Sequence, residues 1–284
     1  MSQFPPDVYA LIDASIAEDQ TFNDPTTQAV VPPEIRGTGW LRAKATGVLA
    51  GVDVAIAVFQ RIDPTLDAKA ILQDGSALCA GDDIAVVRGS AAGILRAERI
   101  ALNFMQRMSG IASDTNRYVE AVRGLKARIV DTRKTAPGHR FLDKYSVRMG
   151  GGYNHRLNLA DGILIKDNHI QANAFREMGL KEVIQLALAR ASHTIKVEVE
   201  VEDMEQVNAA LEAGAHIIML DNMSVSEMAE ATKVIGDKAI VEASGGITYD
   251  TVRAVAETGV ALISIGGLTH SVHALDISLD LEFD

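Results

Sequence analysis

From about residue 125 onward, short apolar runs alternate with helical stretches, and this rhythm constrains the fold more than any single motif. The runs are Ala127–Val130, Gly162–Ile165, Ile195–Val199, His216–Leu220, Ala239–Val241 and Ala261–Ile265. Amphipathic stretches from Met204 to Ala213, Val225 to Val234 and Tyr249 to Thr258 lie between the later runs. Strand–helix alternation needs crossover connections, which are right-handed and leave the strands parallel. The expected architecture is a parallel α/β sheet closed or nearly closed into a barrel, with an open doubly wound sheet as the competing form.

The position of the unusual residues favours the barrel. Arg133 and Lys134 follow the first run, Lys166 ends the second, Glu200 the third and Asp221 the fourth. Ser244-Gly245-Gly246 follows the fifth and Gly266-Gly267 the sixth. All sit at carboxyl ends of strands, the face on which a (β/α) barrel builds its site, so residues far apart in sequence can share one pocket.

The amino-terminal part reads differently. Val8 to Ala17 has helical spacing, Val54 to Phe59 is a helix candidate, and Gly37–Ala45 and Asp82–Arg88 read as strands. A long helix starting near Ala91 places Ile94, Ala97, Ala101, Phe104, Met105 and Met108 on one face. Arg99 falls opposite that stripe. It is either a solvated charge or a side chain offered to another surface.

The chain carries a formal charge of −11, yet residues 131 to 169 hold seven Lys and Arg against four Asp, with His139, His155 and His169. A local reversal of sign interrupted by glycines suits a pocket for a small, highly charged anion. The acidic balance and 5% aromatic content argue against a nucleic-acid surface. Apolar residues make up 48% of the chain, ample for a core, but no apolar run is long enough to span a membrane. The start Met1-Ser-Gln-Phe-Pro-Pro lacks the features of a secretory leader, so a cytoplasmic location is expected. Cys79 is the single cysteine, which excludes an intrachain disulfide and a multi-thiolate zinc site. Its apolar context suggests a buried structural thiol.

Three kinds of group should meet at the barrel mouth. Arg133, Lys134, Arg156 and Lys166, with His155, supply cations; arginine suits bidentate carboxylate or phosphate contacts. Glu200 and Asp221 supply carboxylates, which an anionic ligand would repel unless a cation bridged them. Mg²⁺ is the natural bridge, because it takes oxygen ligands from one or two carboxylates and from phosphates. Ser244, Gly245, Gly246, Gly266 and Gly267 offer backbone donors to a phosphate. Plainer readings exist for each: Glu198, Glu200 and Glu202 alternate with valines as the solvated face of a strand would, Asp221 could cap a helix, Gly-Gly pairs make turns, and His155 and His169 could be structural.

Longer motifs carry a resemblance. They are Glu98–Gln106, Ser109–Ala112, Asp131-Thr-Arg-Lys-Thr135, Gly150-Gly-Gly-Tyr-Asn-His-Arg156, Leu164-Ile-Lys-Asp-Asn-His169, Glu198-Val-Glu200, Leu220-Asp-Asn222, Glu242-Ala-Ser-Gly-Gly-Ile247 and Leu268–Ser271. Together, across nearly the whole chain, they resemble the quinolinate phosphoribosyltransferase family, also called nicotinate-nucleotide pyrophosphorylase (carboxylating), of the type II phosphoribosyltransferases. The resemblance implies an N-terminal α/β sandwich over residues 1–110, rejoined by 272–284, and a C-terminal incomplete (β/α) TIM-like barrel over 111–271. It implies transfer of a phosphoribosyl group from phosphoribosyl pyrophosphate to quinolinate, with loss of CO₂, in NAD biosynthesis. A nicotinate-specific or molybdate-operon-associated member of the type II class is the alternative.

The resemblance also implies roles. Arg133, His155, Arg156 and Lys166 would hold the quinolinate carboxylates; Lys134, Glu200 and Asp221 would serve catalysis near ribose and pyrophosphate, the two acids also as Mg²⁺ ligands. Ser244, Gly245, Gly246, Gly266 and Gly267 would cradle the 5′-phosphate. The family works as a homodimer in which Arg99 would enter the neighbouring subunit's site; higher assembly stays open. One segment departs from the family pattern: a Gly-Asp-x-Thr loop appears as Asn23-Asp24-Pro25-Thr26-Thr27, which leaves that loop's conformation open.

Overall fold

A computed structural model describes residues 4–283. Met1–Gln3, part of the start read above for a leader, lie outside it. Among the described residues twelve strands form: β1 (Arg36–Ala43), β2 (Gly47–Val48), β3 (Asp67–Ala70), β4 (Ala77–Leu78), β5 (Asp83–Ser90), β6 (Arg128–Val130), β7 (Ile163–Ile165), β8 (Val197–Val201), β9 (Ile217–Asp221), β10 (Ile240–Ser244), β11 (Leu262–Ser264) and β12 (Ile277–Phe283). The chain divides into two compact units, residues 1–116, 135–151 and 267–284 in the first and 117–134 with 152–266 in the second.

The first unit is built on an antiparallel sheet ordered β12-β1-β5-β3, with β2 and β4 as a separate pair. Strand β1 alternates, burying Gly37, Gly39, Leu41 and Ala43 while the residues between stay at least partly exposed. That period of two gives the sheet one face for helices. Helices Pro6–Glu18 and Val52–Ile62 fill this core with Val8, Ile12, Val58 and Phe59. Helix Ala91–Ala121 buries Ile94, Ala97, Ala101, Met105 and Met108 along the stripe expected from its spacing. It runs on through residue 110, so the boundary expected there falls inside a continuous helix.

Strand β12 lies antiparallel to β1, from Gly37 opposite Phe283 to Ala43 opposite Ile277. The chain reaches β12 past the long helix at Gly110, where an added Cβ would stand 2.1 Å from the His273 carbonyl oxygen. Only glycine admits that approach. Gln106 holds the same stretch, donating from Nε2 to the Ile277 carbonyl at 2.7 Å and accepting from the Leu275 amide at 2.9 Å.

Two expectations are corrected in this unit. Cys79 is exposed, because the two-residue strand β4 turns Leu78 inward and Cys79 opens the following turn, its amide bound to Asp82 Oδ2 at 2.7 Å. Residues 135–151 belong here rather than with the barrel, and they form a helix, Arg140–Met149, that carries Arg140, Lys144 and Arg148 of the cationic stretch. The buried Asp143 on this helix receives both the Nε (3.1 Å) and an Nη (2.9 Å) of Arg107. In the loop that departs from the family pattern, Asp24 caps helix Pro25–Val30 by accepting from the Thr26 and Thr27 amides at 3.0 and 3.2 Å. No glycine is needed there, since Asn23 does not take a left-handed φ.

The second unit is a six-stranded parallel sheet ordered β6-β11-β10-β9-β8-β7. Strands β7 to β10 each pair with the next in sequence, and β11 then pairs with β6. This cyclic order is an incomplete barrel whose seam lies between β6 and β7, bridged once by Val130 and Tyr153. Helices Leu180–Arg190, Met204–Ala213, Val225–Ile235 and Tyr249–Glu257 make the crossovers. Their starts are written locally: Asp203 Oδ1 accepts from the Gln206 amide at 2.8 Å, and Ser224 with Glu227 forms a reciprocal capping box.

Candidate active site

The barrel places the expected residues by the same device repeated around the sheet. Arg133 and Lys134 leave β6, Lys166 leaves β7, Glu200 is the penultimate residue of β8, and Asp221 and Ser244 close β9 and β10; Ser264, which was not expected, closes β11. Together with Thr132, His155, Arg156, Leu164, Met219 and Glu242 they line one cavity of about 410 Å³. Its position at the carboxyl ends of the strands is where barrel enzymes bind their substrates.

Asp131 lies outside the lining but ties together the segments that form one side of it. Fully buried at the end of β6, it accepts from the His155 amide at 2.8 Å and from Asn154 Nδ2 at 2.6 Å, while its own amide binds the Tyr153 carbonyl at 3.1 Å. The loop carrying His155 and Arg156 is thus tied to the first strand despite the missing seam. Arg156 is further held by a 2.9 Å bond from Nη1 to the Gly162 carbonyl. Burial and the nearby Arg133 charge lower its guanidinium pKa, an arrangement that an anionic ligand would relieve. The buried Nε of Arg133 has no protein acceptor and is available to such a ligand.

Lys166 and Glu200 form a direct ion pair, so a cation expected for the organic acid and a carboxylate expected for metal or ribose meet each other. Asp221 Oδ2 accepts from Asn222 Nδ2 at 2.9 Å. Asn222 takes a left-handed φ of 55° and sends its amide to the Ser244 carbonyl at 3.0 Å.

The plainer readings fare unevenly. Glu198 is buried and Glu200 half-buried, because a parallel strand is covered on both faces; Glu202 alone of the three is exposed. His169 is structural, its Nδ1 accepting from the Lys166 amide at 2.9 Å. His155 faces carboxylates as well as the cavity. Its Nδ1 accepts from the Arg156 amide at 2.8 Å, which assigns the ring proton to Nε2, 3.1 Å from Glu198 Oε2 and 3.7 Å from Glu242 Oε1.

Not every expected residue lines the cavity. Gly245 and Gly246 follow Ser244 at φ 87° and 60°, outside the lining, and nothing stands within 4 Å of a Cβ placed on Gly246. Gly266 and Gly267 follow β11, also outside the lining. Arg99 is exposed on its helix and lines a cavity of about 290 Å³ in the first unit, with Glu18, Asp19, Asn103, Arg107 and His139. Glu198, Glu242, Asp131 and Asn222 were not read as site residues. Glu242 did leave a signal, since an acid inside an otherwise apolar parallel strand requires a compensating group.

Glu200 and Asp221 form an all-oxygen donor set open to the same cavity, which fits a hard cation such as Mg²⁺ that keeps several waters. Among the described residues no helix is long and apolar enough to cross a membrane.

An incomplete α/β barrel with cations and carboxylates converging on one mouth defines an enzyme that handles small anionic substrates. Comparison with known proteins narrows the class. The C-terminal domain profile of quinolinate phosphoribosyl transferase matches residues 111–280, and the N-terminal domain profile matches residues 24–109. The chain belongs to the quinolinate phosphoribosyltransferase family. It is 42% identical over 277 residues to the nicotinate-nucleotide pyrophosphorylase [carboxylating] of Mycobacterium leprae, covering 95% of each chain. It is 41% identical over 271 residues to the probable enzyme of that name from Bacillus subtilis, covering 95% of this chain and 92% of the relative. The crystal structure of NadC from Streptococcus pyogenes superposes with a TM-score of 0.93 at 38% identity, over 100% of both chains.

Proposed function

We propose that the protein transfers the phosphoribosyl group of phosphoribosyl pyrophosphate to quinolinate, giving nicotinate mononucleotide, pyrophosphate and CO₂ in NAD biosynthesis. The observation that carries this reading is the shared cavity: Arg133, Arg156 and Lys166 stand with Glu200 and Asp221 around one volume of about 410 Å³. Those cations match a dicarboxylate, and the acids match the ribose and metal side of the second substrate.

In this reading Arg133, Arg156 and Lys166 orient quinolinate so that its ring nitrogen faces C1 of the ribose. The N–C1 bond forms as the bond from C1 to the pyrophosphate oxygen breaks, and Lys134 stabilises the departing anion. The C2–carboxylate bond of the ribosylated ring then breaks. Its electron pair is accepted by the positively charged ring, CO₂ leaves, and C2 takes up a proton. Positioning and fixed charge do most of this work. Glu200 and Asp221 would hold Mg²⁺, which when bound supplies charge neutralisation for the pyrophosphate. Release of Lys166 from Glu200 as substrates enter would free both groups for these parts. Ser244, Gly245, Gly246, Gly266 and Gly267 would receive the 5′-phosphate.

Arg99 belongs to this reading as a contribution from a second copy in a homodimer, supported by its exposure opposite the apolar stripe. The reading places the enzyme in the cytoplasm, in keeping with its acidic composition. The deciding experiment follows radiolabelled CO₂ from quinolinate labelled in the 2-carboxyl. Release should require both phosphoribosyl pyrophosphate and Mg²⁺; no release, or turnover of nicotinate in its place, would overturn the assignment. Mixed dimers of Arg99→Ala and Lys134→Ala should recover activity, and confirmed mixed dimers without recovery would remove Arg99 from the neighbouring site.

A further inference from the structure

Two glutamates inside the barrel have no part in the chemistry above. Glu198 lies two residues before Glu200 on β8, and Glu242 two residues before Ser244 on β10. They are 5% and 0% exposed. Glu198 Oε1 and both oxygens of Glu242 are buried without a well-aligned hydrogen bond, although the Ser264 hydroxyl and Glu198 are felt at the Glu242 carboxyl. His155 faces both, with Nε2 3.1 Å from Glu198 Oε2 and 3.7 Å from Glu242 Oε1. The charge of Glu198 is felt at the Arg156 guanidinium.

We propose that Glu198 and Glu242 are positioning residues for the quinolinate reaction, holding His155, and through it the backbone of Arg156, in place at the inner end of the cavity. The inference rests on the functional reading above. The chain of contacts is continuous: Glu198 accepts from His155 Nε2, and His155 Nδ1 accepts from the Arg156 amide. Arg156 carries the guanidinium assigned to a substrate carboxylate, so a shift of the imidazole moves the residue that fixes the substrate.

Two buried carboxylates this close do not both keep their charge. Burial, and then the charge of Glu198, push the Glu242 carboxyl up to about 8, so it is the member that stays protonated at neutral pH. The geometry turns the Nε2 proton of His155 toward Glu198, with the protonated Glu242 beside it. The three ligand atoms lie within 4.8 Å of one another, a spacing that also suits a cation.

The test compares Glu198→Ala, Glu242→Ala and Glu242→Gln in the intact enzyme. Glu198→Ala and Glu242→Ala should raise the quinolinate KM by about tenfold or more while leaving that of phosphoribosyl pyrophosphate within about threefold, the scale of losing a group that orients a site residue. Glu242→Gln, which imitates a protonated acid, should recover most of the loss. Nitrogen NMR of labelled histidine should show His155 protonated on Nε2 in the parent and in Glu242→Gln, with that preference lost in Glu198→Ala. Unchanged quinolinate KM in both alanine variants, or a Glu242→Gln variant as impaired as Glu242→Ala, overturns the proposal. So does a stoichiometric metal in the purified parent that Glu242→Ala removes. Labelled CO₂ release by the parent is the control: its absence removes the functional reading, whereas parental activity with indifferent variants removes the positioning role alone.

Discussion

Lys166 Nζ donates to Glu200 Oε1 across the mouth of the barrel. Both side chains remain partly exposed, 42% and 18%, so the pair adds little to the stability of the fold. A double-mutant cycle of Lys166→Ala and Glu200→Ala should give a coupling of about 1 kcal/mol or less in urea unfolding. The same substitutions should each cost far more in turnover. A coupling of several kcal/mol in the free enzyme would make the pair structural.

Arg133 and Arg156 are expected to act on one substrate only. Replacing either by alanine should weaken quinolinate binding by about 2–5 kcal/mol, the scale of truncating one partner of a buried charge pair. Calorimetric titration with each substrate separately checks this, with phosphoribosyl pyrophosphate nearly unaffected. Parental quinolinate affinity in either variant, with the fold intact, would remove that arginine from the site.

Gly245 is constrained twice, by a φ of 87° and by Asn222 Oδ1, which would lie 2.3 Å from an added Cβ. Gly245→Ala should therefore destabilise the barrel by about 1–3 kcal/mol and displace Asn222. The KM for phosphoribosyl pyrophosphate should rise more than that for quinolinate. Equal rises in the two would point to general loosening of the mouth.

Removing Arg107 takes both arginine bonds from the 1% exposed Asp143 carboxylate, leaving its buried charge without that ion pair although the Ala136 amide still donates to Oδ2 at 3.4 Å. The expected cost of Arg107→Ala is about 3–5 kcal/mol in denaturant unfolding. Arg107→Lys should recover only part of it, because lysine lacks the forked geometry.

Glu242 sets a pH dependence of stability. Its folded-state pKa is raised from 4.5 to about 8, so between those values the folded protein holds a proton that the unfolded chain has released. The contribution is fully present below pH 4.5 and is lost as pH rises through about 8. Glu242→Gln, neutral at every pH, should gain in melting temperature relative to the parent as pH increases across that window. A difference independent of pH would show that Glu242 is not the protonated member.

The barrel was legible because its signals are local and repeated: six apolar runs at regular intervals, each ending on a charged or small residue. Runs such as Met204 to Ala213 became helices with the same bounds. The helix Arg140–Met149 was missed because its residues read as part of a charged binding stretch, while its buried Leu142, Asp143 and Val147 depend on partners distant in sequence. Strand β12 lacked a signal for the same reason, its pairing partner lying some 240 residues earlier. At the mouth, charge type and strand position were enough for Arg133, Lys166 and Asp221. The inner acids were harder, because Glu198 looked like one tooth of an alternating strand until burial on both faces was known.

The pairing of β1 with β12 also bears on how the molecule is made. The ladder β6 to β11 is contained within residues 128–264 and needs nothing from β12. The β1 edge is completed only by Ile277–Phe283, across a loop whose closure costs entropy before any strand hydrogen bond is gained. Until that pairing forms, β1 offers other chains an open edge, so refolding at high concentration should lose protein through the first unit's sheet rather than through the barrel.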